Sequence, residues 1–116
     1  MMIWIQGNLW HFFLEQQGAI VTTAASAHTA WEAIAQSPPD LILSDLGMPD
    51  VDGYALIRKV RSLPADQGGT IPAIALTAYA AETTQRLVFA AGFQLHIAKP
   101  ADPAKLITAI AGLVHK

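Results

Sequence analysis

The stretch LILSDLGMPDVDGY (residues 41–54) joins a short apolar run to a segment rich in glycine, proline and aspartate. The apolar run ends at a single acidic residue, Asp45. A short apolar run bounded by turn-forming residues is typical of a buried strand, so Leu41 to Asp45 is predicted to be a strand. This strand would carry a carboxylate to its tip, where a second molecule can reach it.

The composition is that of one globular domain. The chain has 116 residues, of which 53% are hydrophobic and 14% charged, and its net charge is −2. This length suits a single core, so residues 1–116 are expected to form one domain. The small net charge gives no reason to expect nucleic acid or a membrane surface as a partner. The sequence shows no signal peptide, no membrane-spanning run and no cysteine, so a soluble, cytoplasmic protein is expected.

Strand-like and helix-like segments alternate along the whole chain. Besides residues 41–45, strands are predicted at Met2–Ile5, Ala19–Thr23, Ala73–Thr77 and Leu95–Ala98. Helices are predicted at Leu9–Gln17, His28–Gln36, Tyr54–Ser62, Glu82–Ala91 and Pro103–Val114. The strands lack polar alternation, as in sheets that are covered on both faces. The pattern predicts an α/β fold, with a doubly wound, five-stranded parallel sheet.

Three polar residues are predicted to meet at one edge of this sheet. Asp45 ends the third strand, Thr77 ends the fourth, and Lys99 follows the fifth. Ligands of such sheets bind at the carboxyl ends of the strands. A carboxylate there can attack phosphorus, while an ammonium and a hydroxyl stabilise the phosphoryl oxygens. Taken singly, each residue also fits a structural role, as an ion pair or a loop cap, but all three together favour phosphoryl chemistry.

Four motifs resemble those of the response regulator receiver domain, the phosphoacceptor module of two-component signalling. They are PDLILSDLGMPDVDGYALIRKVR (39–61), IPAIALTAYA (71–80), AGF (91–93) and AKP (98–100). The likeness begins near Gly18, which leaves residues 1–17 as a divergent N-terminal segment. The forms of residues 64–80 and 90–100 are most similar to receivers of hybrid sensor histidine kinases. The resemblance implies a flavodoxin-like, three-layer sandwich.

The resemblance also implies a role for each matching residue. Asp45 is implied to be phosphorylated by a partner's phosphohistidine, and the backbone carbonyl of Gly47 to bind Mg²⁺ together with Asp45. Thr77 matches the switch hydroxyl that moves toward the phosphoryl group, and Lys99 matches the lysine that binds a phosphoryl oxygen. The implied partner is a histidine kinase or a phosphotransfer protein. The domain is expected to be a signalling phosphoacceptor and not an enzyme.

Further family features fall on the loops and on strand five. The Lys99–Pro100 peptide bond is implied to be cis, and Met48-Pro49 and Asp52-Gly53 are implied to shape the loop before the third helix. The family's switch aromatic, three residues before the lysine, is His96 here. A histidine can take the inward and outward positions of such an aromatic, or it can lie on the surface of an edge strand. The sequence leaves both possibilities open.

The acid pair of the family's magnesium site is missing. It belongs at the end of strand one, where MMIWI (1–5) is followed by Gln6, Gly7 and Asn8. Mg²⁺ prefers carboxylate oxygens, so weak binding and slow or absent phosphorylation are expected. Strand one is central in the family, and its loss would expose the edges of its neighbours. MMIWI as a degenerate strand, strand exchange between two chains, and a truncated or misassigned start all fit the sequence.

Three other functions were weighed against a phosphoacceptor. A pseudo-receiver, which binds partners without being phosphorylated, is favoured by the missing acids but not by the intact Asp45, Thr77 and Lys99. An aspartyl-phosphate phosphatase is disfavoured because Gly47 stands where such enzymes carry a second aspartate. A nucleotide-binding fold is disfavoured because no glycine-rich loop follows strand one. The output surface is expected at helix four, strand five and helix five, about Glu82 to Val114.

The N-terminal segment is rich in aromatic residues, namely Trp4, Trp10, Phe12 and Phe13. It contains no lysine or arginine, which argues against a membrane-surface helix. The aromatic residues are expected to pack in the core or to form a homodimer contact.

Overall fold

The structure, a computed structural model, describes residues 2–6, 10–24, 27–46, 51–77, 82–98 and 102–114. The strands are β1 (Met2–Gln6), β2 (Ile20–Ala24), β3 (Leu41–Leu46), β4 (Ala73–Thr77) and β5 (Leu95–Ala98). The helices are α1 (His11–Gln16), α2 (Ala27–Gln36), α3 (Val51–Arg61), α4 (Glu82–Ala91) and α5 (Pro103–Val114), with a 3₁₀ turn at Ala65–Gln67. In the part of the chain so described, no helix is long and apolar enough to cross a membrane.

The five strands form one parallel sheet in the order β2-β1-β3-β4-β5. The predicted α/β fold is therefore confirmed. The divergent strand β1 lies inside the sheet, where Trp4 pairs with Thr22 of β2 and with Ile42 of β3. Residues 2–6 therefore form a first strand in the structure, while strand exchange and a truncated or misassigned start stay open.

Helices cover both faces of the sheet, and side chains alternate between two cores. On β1, Ile3 and Ile5 face the core that includes Leu106 and Ile110 of α5, whereas Trp4 faces the opposite core with α2, α3 and α4. These three β1 residues are at most 5% exposed. Residues 3–5 of β1 are all apolar because both faces of the strand are buried, as in other parallel sheets.

Asp40, which precedes β3, holds the start of β1 in place. Its carboxylate oxygen Oδ2 accepts a hydrogen bond from the backbone N–H of Met2 at 2.7 Å. Its own N–H donates to the carbonyl of Met2 at 2.8 Å. These two bonds fix the register of the divergent strand against β3 at the edge opposite to Asp45.

Most of the predicted boundaries in the first half of the chain are corrected by one to three residues. Helix α1 is His11–Gln16 and not Leu9–Gln17, and Gly18 follows it with its N–H donating to Glu15 and a φ of +91°. Strand β1 ends one residue later than predicted, β2 is shifted by one residue to Ile20–Ala24, α2 begins one residue earlier and α3 ends one residue earlier. Strand β3 runs one residue beyond Asp45. Helix α3 begins at Val51, so Asp52-Gly53 belongs to its first turn and not to the loop. Glycine is a weak helix former, but the helix includes Gly53, because tertiary packing overrides propensity.

The aromatic residues of the N-terminal segment divide between the core and the surface. Trp4 is 5% exposed, and Trp10 packs edge-on against Phe13 with ring centroids 5.7 Å apart, both against the core under α1. Phe12 is 72% exposed. Core packing is therefore confirmed for three of the four residues, and the homodimer contact stays a prediction.

Candidate functional site

The backbone brings the predicted site residues of β3, β4 and β5 to one edge of the sheet. Leu46 of β3 pairs with Thr77 of β4, and Thr77 in turn pairs with Ala98 of β5. Asp45 lies one residue earlier, opposite Leu76. The carboxyl ends of β3 and β4 are therefore level, and Asp45 and Thr77 lie on adjacent strands, as the sequence predicts.

Thr77 is held at this edge by its burial and by a hydrogen bond to β5. Its side chain is 2% exposed. Its Oγ1 lies 3.0 Å from Nε2 of His96, and the pair is partly buried. By strand alternation Thr77 shares the face of Ala73 and Ala75, which belong to the core under α3 and α4. His96 therefore has a ring nitrogen against the Thr77 hydroxyl and is half-buried, and the switch roles of the two residues stay predictions.

His96 also lines a groove between β5 and α5 with a volume of about 410 Å³. The charged residues of this groove are Asp102 and Lys105. On the other side of β5, α4 exposes two large apolar side chains, Leu87 and Phe89, at 57% and 48%. One residue therefore contacts both Thr77 and the surface formed by α4, β5 and α5.

In the sequence, Gln6, Gly7 and Asn8 stand where the family's magnesium site needs carboxylates. Gln6, the last residue of β1, pairs with Ser44, the neighbour of Asp45. The three acidic residues earlier in the chain lie elsewhere: Glu15 in α1, Glu32 in α2 and Asp40 before β3. Among the described residues, no group of three or more histidine and acidic side chains could hold a metal ion. The donors at this edge do not fit a carboxylate-rich magnesium site.

Several predicted site residues lie outside the described residues. They are Gly47, Met48-Pro49, Lys99 and Pro100, so the lysine's approach to the site and the cis peptide bond stay predictions. For Asp45 the structure describes the position in β3 and its register. Among the described residues, no buried side-chain nitrogen or oxygen lacks a hydrogen-bond partner, and this includes the buried Ser44 and Thr77.

A second polar cluster, which the sequence did not reveal, lies at the opposite edge of the sheet. Arg61, at the end of α3, donates from Nε to the Gly92 carbonyl at 2.8 Å, from Nη1 to the Gly69 carbonyl at 3.1 Å, and from Nη2 to Gln94 Oε1 at 2.8 Å. Gln94 Oε1 also accepts from the N–H of Ala73, at the start of β4. Burial lowers the pKa of Arg61 from its usual value. This cluster ties α3 to the loops around β4 and β5 and is structural.

Comparison with known proteins decides the family. The sequence pattern of the response regulator receiver domain matches residues 5–111 of this chain. The chain belongs to the response regulator receiver domain family. The match begins at Ile5, so it includes the last two residues of β1 as well as the motifs around Asp45, Thr77 and Lys99.

Relatives of this receiver domain include both short proteins and parts of large kinases. An uncharacterized 14.6 kDa protein of Leptolyngbya boryana is 46% identical over 100 residues, which cover 86% of this chain and 75% of that protein. Hybrid signal transduction histidine kinase D of Dictyostelium discoideum is 41% identical over 80 residues, which cover 67% of this chain but 5% of the kinase. The predicted likeness to receivers of hybrid kinases is confirmed.

Solved structures agree with the fold along almost the entire chain. A putative response regulator from Chloroflexus aurantiacus J-10-fl superposes with a TM-score of 0.87 at 27% identity, covering 99% of this receiver and 98% of that chain. The receiver domain of sensor histidine kinase PA1611 from Pseudomonas aeruginosa PAO1 superposes with a TM-score of 0.82 at 26% identity. The superposition covers 99% of this receiver and 98% of that chain. That structure has a magnesium ion coordinated in its active site cleft.

Proposed function

We propose that this receiver domain accepts a phosphoryl group on Asp45 from the phosphohistidine of a histidine kinase or a phosphotransfer protein. In this step a bond forms between a carboxylate oxygen of Asp45 and phosphorus. The phosphorus–nitrogen bond of the phosphohistidine breaks, and its electron pair stays on the donor's imidazole. The observation that supports the proposal is the register of β3 and β4, in which Asp45 pairs with Leu76, the residue before Thr77, close to the carboxyl edge of the sheet.

The proposed roles of the other residues follow from their chemistry. The Thr77 hydroxyl donates to a phosphoryl oxygen, and the Lys99 ammonium neutralises part of the phosphoryl charge. Because His96 bonds Thr77 and lines the β5–α5 groove, a shift of Thr77 changes the surface formed by α4, β5 and α5. Phosphorylation then acts on a binding partner by shifting an equilibrium between two arrangements of this surface.

The proposal includes weak binding of Mg²⁺ at this site. Mg²⁺ is a hard cation with a preference for carboxylates, and the end of β1 supplies Gln6, Gly7 and Asn8 instead. The same observation favours the second candidate, a pseudo-receiver that binds its partner through this surface without phosphorylation. Both candidates use the same fold, and they differ in whether Asp45 gains a phosphoryl group.

The test is the intact mass of the chain after incubation with acetyl phosphate, with and without Mg²⁺. The control is Asp45→Asn, which keeps the size of the side chain but removes the nucleophile. We expect wild-type protein to gain one phosphoryl group, the control to gain none, and the rate to depend only weakly on Mg²⁺. No gain in wild-type protein with an intact circular dichroism spectrum would favour the pseudo-receiver.

A further inference from the structure

A cleft lies between α1 and α5, on the face of the sheet opposite to α2, α3 and α4. Its volume is about 130 Å³. Four of the residues that line it are apolar and at most 8% exposed, namely Ile3, Leu14, Ala19 and Ile110. Two others are exposed, namely Gln17 and Ala111. The cleft therefore has an apolar floor and opens to solvent between the two helices.

Phe12 on α1 is the most exposed of the large apolar side chains in the described part of the chain, at 72%. An α-helix turns by about 100° per residue, so Phe12 points about 200° away from Leu14. Leu14 is 1% exposed, and Phe13 packs edge-on against Trp10 over the same core. Because these residues fix α1 on the core, the ring of Phe12 projects away from the sheet, on the surface formed by α1 and α5.

The cleft is close in size to a phenyl ring and contains no charge. An apolar cavity of about 150 Å³ holds a benzene molecule. None of the described residues that line the cleft is charged. Glu15 on α1 pairs with His11 at 3.1 Å, and Lys105, the charged residue of α5, lines the groove on the β5 side of that helix. An aromatic ring can therefore enter the cleft without burying a charged group.

We propose that this receiver domain forms a two-fold symmetric dimer through α1 and α5, in which Phe12 of each copy enters the cleft of the other. Phe12 points away from the cleft of its own chain, whereas a two-fold contact joins the same surface of both copies and makes each contact twice. Phe12 and Gln17 are five residues apart, or about 7.5 Å along a helix. Antiparallel packing of the two α1 helices brings the first turn of one against the last turn of the other and closes this distance.

The proposal goes beyond the proposed function, because the contact does not involve Asp45 or its phosphorylation. Helix α5 has two sides that are used differently. Ile107 and Ala111 line the cleft with α1, whereas Lys105 and Ala109 line the groove with β5. A dimer through α1 therefore leaves α4 and β5 accessible to a partner, and both can be occupied at the same time.

The first measurement is sedimentation equilibrium of the unphosphorylated chain over a range of concentrations. A contact built around one ring and one cleft, made twice, is at the small end of specific interfaces, so we expect a dissociation constant of about 10–100 μM for wild-type protein. Phe12→Ala removes both rings from the dimer and should raise this constant at least about a hundredfold. Because Phe12 is exposed, the variant should keep the wild-type circular dichroism spectrum.

Two further variants define the surface. Phe89→Ala removes the same atoms from an exposed phenylalanine on α4 and should leave the dissociation constant unchanged. Ala111→Glu keeps Phe12 but puts a carboxylate at the opening of the cleft, where burial of a charge opposes entry of the ring, so the dimer should weaken at least about tenfold. Ala111 is exposed on α5, so this substitution should leave the fold intact.

The second measurement locates the ring by NMR, in a mixture of chains with ¹³C-labelled isoleucine methyl groups and unlabelled chains. We expect intermolecular nuclear Overhauser effects between the Phe12 ring and the methyl groups of Ile107, and their loss when the unlabelled chain is Phe12→Ala.

Three results would overturn the proposal. The first is a wild-type chain that remains monomeric up to about 1 mM. The second is a dimer that is lost in Phe89→Ala but kept in Phe12→Ala, because the contact would then lie on α4. The third is a dimer that Ala111→Glu leaves unchanged, because Phe12 would then not enter the cleft. Phosphorylation of Asp45 is not needed for any of these results, so the proposed function can fail or succeed independently.

Discussion

Replacing Ile5 by alanine tests whether the divergent strand β1 is a buried interior strand of the sheet, between β2 and β3. Ile5 is 1% exposed and belongs to the core between the sheet and α1 and α5. The substitution removes three carbon atoms, or about 2.4 kcal/mol at roughly 0.8 kcal/mol per buried carbon. The cavity that remains adds to this cost, so about 3–4 kcal/mol is expected within the usual range of about 2–5 kcal/mol. At about 4 °C per kcal/mol, the Tm should fall by about 12–16 °C.

Ile20→Ala is the matched control, because the same atoms are removed from the neighbouring strand β2. Ile20 is 65% exposed, so its loss should cost about 1 kcal/mol or less, mainly through strand propensity. Urea unfolding followed by far-UV circular dichroism gives both free energies of unfolding. If Ile5→Ala lowers the free energy of unfolding no more than Ile20→Ala does, then residues 2–6 do not form a buried interior strand. The register that pairs Gln6 with Ser44 would then be wrong.

Two further predictions concern the structural cluster and the metal. Gly92→Ala should destabilise the fold by about 1–3 kcal/mol in thermal unfolding, because the φ of Gly92 is +122° and a Cβ would lie 2.7 Å from Cγ of Arg61. The control is Gly112→Ala in α5, where a Cβ would have no atom within 4 Å, and it should be neutral or stabilise the fold by about 0.5–1 kcal/mol. Equal losses of stability in the two variants would contradict the steric reason. The double variant Gln6→Asp, Gly7→Asp should bind Mg²⁺ at least about tenfold more tightly than wild-type protein in calorimetry, since carboxylates replace neutral groups. Unchanged affinity would mean that the end of β1 does not contribute to the metal site.

The fold could be predicted from the sequence because a sheet that is buried on both faces has strands that are apolar throughout, without polar alternation. Strands β4 and β5 and helices α4 and α5 have the predicted bounds, since proline or glycine marks the turns around them. The start of α3 was the poorest boundary. The resemblance implied that Asp52-Gly53 belongs to the loop, but the helix already includes both residues, although Gly53 is a weak helix former.

The candidate site could be predicted only in part, because some of its contacts depend on register. The level ends of β3 and β4 follow from the order of the strands, so the predicted positions of Asp45 and Thr77 near the carboxyl ends of adjacent strands agree with the register, while their roles stay predictions. The bond from Thr77 to His96 needs the pairing of β4 with β5, and no sequence spacing specifies it. The bonds of Asp40 to Met2 and of Arg61 to Gly92 join residues 38 and 31 positions apart, so they could not be read from local patterns.

The missing acid pair changes what a metal ion has to do in the proposed function. An acid pair next to the phosphoacceptor brings two negative charges that a divalent cation must offset before a phosphoryl donor can approach. Gln6 and Gly7 are neutral, so this repulsion is absent and less positive charge is needed. Phosphorylation of the double variant Gln6→Asp, Gly7→Asp by acetyl phosphate should therefore depend more strongly on Mg²⁺ than phosphorylation of wild-type protein. An equal dependence on Mg²⁺ in the two proteins would contradict this electrostatic reason.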